Sequence, residues 1–474
     1  MTSQSQASSN RFAIVILAAG KGTRLKSKMA KVLHRIAGLP LLVHVITAAR
    51  EVSPAEDIFC VIGHQADQVR AETSSLGTRF VEQTEQKGTG HALLQCRQAL
   101  AGYEQVLVLS GDVPLIRPET MARLRDFHLA RKAAMTILTA EPADPSEYGR
   151  IVRGPGDGGD EVTAIVEQKQ ASAEQAAIRE INSGIYAFDV KALFARIERL
   201  ETANPHGEYY LTDMAAILRG DGQRVLALKA AEVAEVMGVN TRRELVALDR
   251  LLRAHKAARL MDNGVTIYRP ESCVIDAQVT VGADTVIEPF VQLLGATTIG
   301  ENCRIRSYSV LTNARIADGV TIRHACIAED VVIGSGAVVG PFSHLRPGSD
   351  LGDGAHVGNF VETKKARIGR GSKANHLTYL GDVEIGEGVN IGAGTITCNY
   401  DGVDKHQTVI EDGVFIGSDT TLVAPVTVGK GAYVGAGSCI TKPVPPDSLA
   451  FSRPPQLVKE GWAAKRREKR KKKS

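Results

Sequence analysis

Residues 368–392 read IGRGSKANHLTYLGDVEIGEGVNIG, and three aliphatic–glycine pairs punctuate them: Ile368-Gly369, Ile385-Gly386 and Ile391-Gly392. The first two pairs stand 17 residues apart and the last two stand six apart. Upstream, an aliphatic residue followed by a small one recurs at Val281-Gly282, Ile299-Gly300, Ile316-Ala317, Ile333-Gly334 and Leu351-Gly352, every 17 or 18 residues. Val357-Gly358, Ile416-Gly417, Val428-Gly429 and Val434-Gly435 extend the series. Six residues make a short strand and a turn, and three such units make one triangular coil of about 18. The period predicts a parallel β-helix of hexapeptide repeats from Gly264 onward. The aliphatic residue points into the prism, and the glycine is expected where the backbone turns, at little steric cost. A glycine-rich linker would lack the phased aliphatics.

The same period accounts for the composition. The chain has 474 residues and 46 glycines, and 26 of those glycines fall between 264 and 442. Aromatics are only 5%, with a single Trp, as a thin aliphatic column with no room for large rings requires. The step from Ile391 to Ile416 is 25 residues, too long for one coil. The excess holds Thr397-Cys398-Asn399-Tyr400-Asp401-Gly402, and an extra loop on a regular solenoid is where function concentrates.

Before Gly264 the pattern differs. The apolar runs Phe12–Ala19, Ile58–Ile62, Val106–Leu109 and Met135–Thr139 alternate with amphipathic stretches such as Pro40–Arg50 and His91–Leu100. Continuous apolar strands separated by helices imply an α/β domain whose parallel sheet is covered on both faces. Thr241-Arg242-Arg243-Glu244 matches a capping box. Leu245, Leu248, Leu252 and Leu260 then recur at helical spacing, and Gly264 is the expected stop, so one long helix over about 242–262 connects the halves. The expected division is a disordered 1–10, an α/β domain over 11–242, a helical linker over 243–263, a β-helix over 264–455 and a basic tail over 456–474.

The net charge of +4 is a property of that tail: residues 459–474 carry nine Lys or Arg and two Glu, and the remainder nets −3. The expected reading of the tail is a solvated, disordered extension, with contact to a polyanion such as the CoA phosphates as the alternative; no aromatic interleaving accompanies its charges, so nucleic acid is not the expected partner. Seven scattered cysteines, odd in number and without CxxC, fit neither a disulfide framework nor a zinc site. No apolar stretch approaches the ~18 residues of a membrane span, and the polar N-terminus lacks a secretory pattern. A cytoplasmic protein is expected.

Several N-terminal motifs point to phosphate chemistry. Strand Ile14–Leu17 runs into Ala18-Ala19-Gly20-Lys21-Gly22-Thr23-Arg24-Leu25. A glycine turn lets backbone approach a phosphate, N–H groups of a following helix start point at the anion, and Arg24 and Lys31 add charge. Neither GxxxxGK[ST] nor GxGxxG fits, since Val15 and Leu25 stand where each needs glycine. Leu109-Ser110-Gly111-Asp112-Val113-Pro114 ends a strand with a carboxylate in the turn, a place for Mg2+ beside substrate phosphates. Gly88-Thr89-Gly90-His91 opens a helix and can hold a base through backbone groups. Tyr148-Gly149-Arg150, Val166-Glu167, Ile181-Asn182-Ser183-Gly184 and Gly238-Val239-Asn240 are individually weak signals.

In the β-helix half, Arg346, Glu362, Lys364, Lys365, His376, Tyr379, Asn390, Asn399 and Tyr400 interrupt the coil pattern close together. Positions about one coil apart stack on one face, so these residues can converge on one groove. Arg346 and Lys364 suit a sugar phosphate. Histidine is the side chain most often used as a general base, which makes His376 the candidate, with Glu362 a candidate to orient it.

Taken in order, LAAGKGTRL, KVLH, GTGHA, GDVPL, YGRI, INSG and GEYYLTD resemble the nucleotide-sugar pyrophosphorylases. With the β-helix, the resemblance narrows to the bacterial bifunctional N-acetylglucosamine-1-phosphate uridyltransferases/glucosamine-1-phosphate acetyltransferases, over residues 11 to 462. It implies a Rossmann-like mixed sheet, a long helical linker and a left-handed parallel β-helix. It implies acetylation of glucosamine 1-phosphate by acetyl-CoA, then UMP transfer from UTP to N-acetylglucosamine 1-phosphate. The product UDP-N-acetylglucosamine feeds peptidoglycan and lipopolysaccharide synthesis. By this resemblance Leu17, Ala18, Ala19, Gly20, Gln83, Gly88, Thr89, Ser110 and Gly111 belong to the nucleotide site, and Arg24 and Lys31 meet the phosphates. Gly149, Glu167 and Asn182 hold the sugar, and Asp112 and Asn240 ligate Mg2+. In the second half it makes His376 the base, gives Arg346, Lys364, Tyr379 and Asn390 to the amino sugar, and gives Ala393, Asn399, Tyr400, Ser418, Ala436 and Arg453 to acetyl-CoA. Homotrimers with sites between prisms are implied. The chain departs from the family pattern at Ala30 (usually Pro) and Ser110 (often Tyr), where tuned affinity and not loss of activity is expected, and by a smaller step at Asn375 (commonly Gly). A scaffold or non-catalytic subunit on the same folds would require neither His376 with Asn399-Tyr400 nor an intact glycine turn with Asp112.

Overall fold

The computed structural model describes residues 11–154, 159–204 and 206–472. The N-terminal stretch expected to be disordered and the last two residues of the basic tail lie outside the described residues. The chain divides into two compact units, Met1–Leu252 and Arg253–Ser474.

The first unit is built on strands β1 (Phe12–Leu17), β2 (Ile58–Ile62), β3 (Arg79–Glu82), β4 (Gln105–Ser110), β5 (Met135–Ala140), β6 (Arg150–Arg153), β7 (Val162–Val166), β8 (Ile181–Asp189) and β9 (Val225–Lys229). Their order across the sheet is β9-β5-β8-β4-β1-β2-β3, with β6 paired to both β8 and β7. Successive side chains of a strand point to opposite faces. Ala13 and Val15 of β1, with Val106 and Val108 of β4, enter one apolar cluster. Ile14, Ile16, Leu107 and Leu109 enter another on the opposite face. Both faces are therefore covered, as the continuous apolar runs require. The sheet is not purely parallel: β8 runs antiparallel between β4 and β5. It follows the antiparallel β6–β7 pair through a connection that holds only the four-residue helix Ala173–Ala176, and it pairs back with β6. Its pairing with β5 shifts register between Asn182 and Tyr186, where Gly184 has φ +76°. The INSG motif is thus a bulge, a device that re-aims side chains.

The helix expected from the capping box runs Arg242–Asp262. Thr241 Oγ1 accepts from the Glu244 N–H at 3.2 Å, and the Glu244 carboxylate accepts from the Thr241 N–H at 2.6 Å. Gly264 follows with φ +90°.

In the second unit most short strands pair in parallel with the third strand after them, so Thr298↔Arg315↔Val332 and Ile299↔Ile316↔Ile333 form ladders. The long step appears where expected: Asn390 and Ile391 pair with Phe415 and Ile416, 25 residues on. One aliphatic core runs unbroken from Ala257 to Val444. Rings are excluded from it and stack on the exterior: Phe290 on Tyr308, Phe342 on Phe360 and Phe415 on Tyr433, with centroids 5.1–5.5 Å apart. The glycine of each pair serves a different purpose from the one expected. A Cβ on Gly352 would lie 2.8 Å from the Arg370 nitrogen of the next coil, so the glycine permits close stacking of coils. The left-handed turn comes two residues later, at Gly354 with φ +64°. The tail is not featureless: Trp462–Lys471 forms a fully exposed helix.

At the amino end of β4 a buried polar chain closes the sheet. His128 is 1% exposed and joins Thr136 Oγ1 at 2.8 Å and Gln105 Oε1 at 2.9 Å. Burial holds this imidazole down at about 4, against a weaker opposing pull from Asp189. Its folded pKa lies below the unfolded 6.5, so unfolding takes up a proton between the two values. Stability of the first unit falls as pH drops from 6.5 toward 4. The slope from this group approaches ~1.4 kcal/mol per pH unit. Urea unfolding at stepped pH is expected to show that slope, and His128→Gln to flatten it.

Candidate functional site

A cavity of about 540 Å³ opens at the carboxyl ends of β1 and β4. Its wall brings together Leu17, Ala18, Ala19, Gly20, Lys31, Gln83, Gly88, Thr89, Ser110 and Asp112, ten of the sequence-predicted residues. The main chain sets its base: Gly111 N–H donates to Leu17 O at 2.9 Å, and Ala18 N–H to Val61 O at 2.8 Å. The helix expected after Gly22 is only a three-residue turn, Thr23–Leu25, with Gly22 at φ +63°. Anion attraction here rests on loop N–H groups and cationic side chains, because so short a turn has no appreciable dipole.

Gln83 is 3% exposed and donates to Gly88 O at 3.1 Å. Gly88 has φ +103°, and a Cβ there would lie 2.7 Å from Tyr209 O. Gly90 N–H donates to Tyr209 O at 2.8 Å, and Leu211 N–H to Thr89 Oγ1 at 3.0 Å. The GTGHA and GEYYLTD motifs, far apart in sequence, are therefore one piece of structure.

Charge gathers around Asp112. Lys31 forms an ion pair with its Oδ2 and donates to Asn240 Oδ1 at 2.8 Å. Arg24 Nη2 donates to the same Asn240 oxygen at 2.8 Å and Nη1 to Glu147 at 3.0 Å. Burial pushes the Asp112 carboxyl up, but the Lys31 ammonium and the Ser110 hydroxyl outweigh it and hold the group below its usual range. Asp112 and Asn240 thus present two oxygens to one cationic point. Two departures from the family pattern find a use here. Ser110 Oγ donates to Asp112 Oδ1 at 2.6 Å, leaving Oδ2 for a cation. Ala30 N–H donates to Gln65 Oε1 at 2.6 Å, a bond that proline cannot make. It fixes the turn that carries Lys31.

Gly149, Glu167 and Asn182 form a second group. A Cβ on Gly149 would sit 3.6 Å from Glu167 Oε1 and 3.7 Å from Asn182 Cβ. Asn182 Nδ2 donates to the Tyr186 hydroxyl at 2.8 Å, and Tyr186 lines the cavity. Burial raises the Glu167 carboxyl.

In the β-helix, Arg346 Nη1 donates to Glu362 at 2.8 Å. Glu362 is therefore Arg346's partner, and among the described residues the His376 ring makes no hydrogen bond. His376 lies in register with Asn359 just before Leu377, a corner residue at φ +47°. Asn390 pairs with Lys373 on the same side of the prism. Past the corner, Lys364 stands in register with Gly381. A Cβ on Gly381 would strike the Tyr379 hydroxyl and lie 2.8 Å from Asn399 Nδ2, so these groups crowd one spot. Lys405, which the motif reading missed, sits against Lys364 and holds that ammonium below the ordinary lysine range. The signal that could have found it is the seven-residue excess in the repeat, because Lys405 belongs to that loop.

The loop folds on Asp401, which accepts from the Val403 and Asp404 N–H groups and joins His406 Nε2, each at 2.8 Å. Its partners hold the Asp401 carboxyl far below the usual range, His406 most strongly. Tyr400 is 59% exposed at the loop's edge. Ala393, Ser418 and Ala436 stack down one line: Asp419 N–H donates to Ala393 O at 2.7 Å and Gly437 N–H to Ser418 O at 2.8 Å. Arg453 Nη1 caps that line on Ala436 O at 2.6 Å.

Residues 14–262 match the family model of the MobA-like NTP transferase domain. Residues 269–368 match the GMPPB C-terminal domain, and residues 407–442 match the bacterial transferase hexapeptide (six repeats). The chain is 62% identical to the bifunctional protein GlmU of Koribacter versatilis over 98% of its length and 99% of the relative's. The chain belongs to the GlmU family. The GlmU proteins of Solibacter usitatus and Geotalea daltonii are 51% and 48% identical, each over 96% of this chain and 97% and 99% of their own. GlmU proteins are bifunctional enzymes, uridyltransferase and acetyltransferase in one chain, and this protein is one of them.

The Gly88 contact supplies a test of how the uridyl cavity is built. Gly88→Ala is expected to lower uridyl transfer at least about tenfold, because a Cβ would push the segment around Tyr209 away. Acetyl transfer, measured in the same preparation, is expected to be unchanged.

Proposed function

We propose that the chain first acetylates glucosamine 1-phosphate with acetyl-CoA and then joins the product to UMP from UTP, releasing pyrophosphate. The observation that carries the uridyl half is the convergence of Asp112 and Asn240 on one cationic point inside a cavity floored by a glycine turn. Two oxygen donors suit Mg2+, a hard cation that completes its shell with phosphate oxygens and water. Asp112 and Asn240 would hold it, and when bound it neutralises charge on the triphosphate. Leu17 to Gly20, Gln83, Gly88, Thr89 and Gly111 hold the nucleotide, and Gly149, Glu167 and Asn182 hold the sugar. A phosphate oxygen of N-acetylglucosamine 1-phosphate attacks the α-phosphorus of UTP, and the P–O bond to pyrophosphate breaks. Arg24 and Lys31 draw off charge as it shifts to the leaving group. No protein nucleophile is needed, since positioning and charge neutralisation supply the catalysis.

In the acetyl half, Arg346, Lys364 and Lys405 supply three cations for the sugar phosphate, with Tyr379 and Asn390 alongside. The amine nitrogen attacks the thioester carbonyl, His376 accepts the amine proton, and CoA leaves as the thiolate. Ala393, Asn399, Tyr400, Ser418, Ala436 and Arg453 hold acetyl-CoA. His376 is exposed in the single chain. A general base works best where water is excluded, which supports a homotrimer whose neighbouring prism closes the site. No helix among the described residues is long and apolar enough to cross a membrane, in keeping with a cytoplasmic setting.

Separate assays of the two half reactions test this reading. Asp112→Ala is expected to lower uridyl transfer by at least ~10²-fold and leave acetylation intact. His376→Ala is expected to lower acetylation by about 10²- to 10⁴-fold and leave uridyl transfer intact. Loss of both activities in either variant contradicts two separate sites. Lys405→Ala is expected to raise the KM for glucosamine 1-phosphate about 10- to 100-fold, the worth of one charge-assisted hydrogen bond; an unchanged KM removes Lys405 from the phosphate site.

A further inference from the structure

The Lys31 ammonium lies where a metal ion would be expected. It is bonded to Asp112 Oδ2 and to Asn240 Oδ1, the two oxygens assigned to Mg2+. The pair is largely shielded, with the Lys31 and Asp112 side chains 16% and 15% exposed. A second cation cannot share those oxygens at such range, because like charges a few ångströms apart in a poorly solvated site repel strongly. The ammonium also has a reason to be there, since a shielded carboxylate left without a partner is costly.

Lys31 also has somewhere else to go. Its stem lies across Gly22: a Cβ on Gly22 would be 2.5 Å from Lys31 Cβ and 3.0 Å from Cγ. Lys31, Gly20 and Gly22 line the same cavity. The base of the side chain is therefore held beside the glycine turn, and rotation about its outer bonds carries Nζ from Asp112 toward any phosphate lodged there. Arg24 shares the arrangement, since it too donates to Asn240 Oδ1 at 2.8 Å.

We propose that in the free enzyme Lys31 is a built-in competitor of the metal, occupying its seat until a nucleotide triphosphate draws the ammonium away. Metal and nucleotide then bind with positive coupling, and by reciprocity each tightens the other. The enzyme without nucleotide keeps Asp112 neutralised and takes up divalent cation weakly. The inference rests on the uridyltransferase reading of this cavity and adds a role that phosphate binding alone does not give Lys31.

The test is Mn2+ binding to the full-length enzyme at pH 8, followed by electron paramagnetic resonance, with no turnover involved. Without nucleotide, Lys31→Met is expected to bind Mn2+ about tenfold more tightly than wild type, a size typical of coupling between two sites. Lys31→Gln, which keeps a neutral donor for Asp112, is expected to move the same way, and a cooperative thermal unfolding transition shows each variant to be folded. A UTP analogue with a methylene between the α- and β-phosphorus is expected to tighten Mn2+ binding in wild type and to do so far less in Lys31→Met. Lys31 variants that bind Mn2+ no more tightly than wild type overturn the inference. Asp112→Ala separates the two levels: if it removes Mn2+ binding while the Lys31 variants leave it unchanged, only the competitor role falls. If it leaves Mn2+ binding intact, the metal assignment falls and takes this inference with it.

Discussion

The second unit depends on one geometric constraint: each coil must lie close enough to the next for every short strand to bond its successor. That spacing leaves a column wide enough for one aliphatic side chain per hexapeptide, which forces Val, Ile and Leu inward and pushes rings such as Phe342 and Phe360 outside. It also accounts for the glycine that follows many of these aliphatic residues, because a Cβ on Gly352 would meet the Arg370 nitrogen of the neighbouring coil. A frame this regular offers few places for a ligand. The polar residues that interrupt it, and the one loop that exceeds its period, therefore stand out as chemistry.

The first unit works by the opposite logic. Its sheet is an ordinary two-faced scaffold, and what is particular to it collects at the carboxyl ends of β1 and β4. Motifs separated by more than a hundred residues become single objects there. GTGHA packs on GEYYLTD through Gly90 and Tyr209, and the Gly20 loop faces Asn240 through Lys31. Each contact is a backbone or charge complementarity that a glycine, a lysine or a carboxylate makes possible, so the cavity tolerates little change at these positions. Ser110 and Ala30 illustrate the remaining latitude. Both differ from the family pattern, and both make hydrogen bonds that hold Asp112 and the Lys31 turn in place.

Much of this was legible in the linear sequence because it is periodic or local. Aliphatic phasing announces a β-helix, and the Thr241–Glu244 capping box sets the start of the long helix at Arg242. Where the sequence misled, the cause was non-local. The parallel sheet expected from apolar runs contains the antiparallel β8, because strand direction depends on how the chain returns from the β6–β7 hairpin. The helix expected after Gly22 is a single turn, ended by Lys26 in the left-handed region at φ 49° and followed by the polar Ser27-Lys28. Glu362, a candidate to orient His376, is claimed by Arg346 from the coil below.

The sequence by itself determined the class of each half and the length of the connecting helix, and it supplied most of the polar residues proposed for both sites. Repeat period, capping and glycine turns act over a few residues and need no partner to be read. Only the tertiary structure decided which charges share an atom. That Lys31 bridges Asp112 and Asn240, and that Lys405 comes to rest against Lys364, follows from where distant segments pack. Electrostatic partnership is set by distance in space, and separation along the chain carries no record of it.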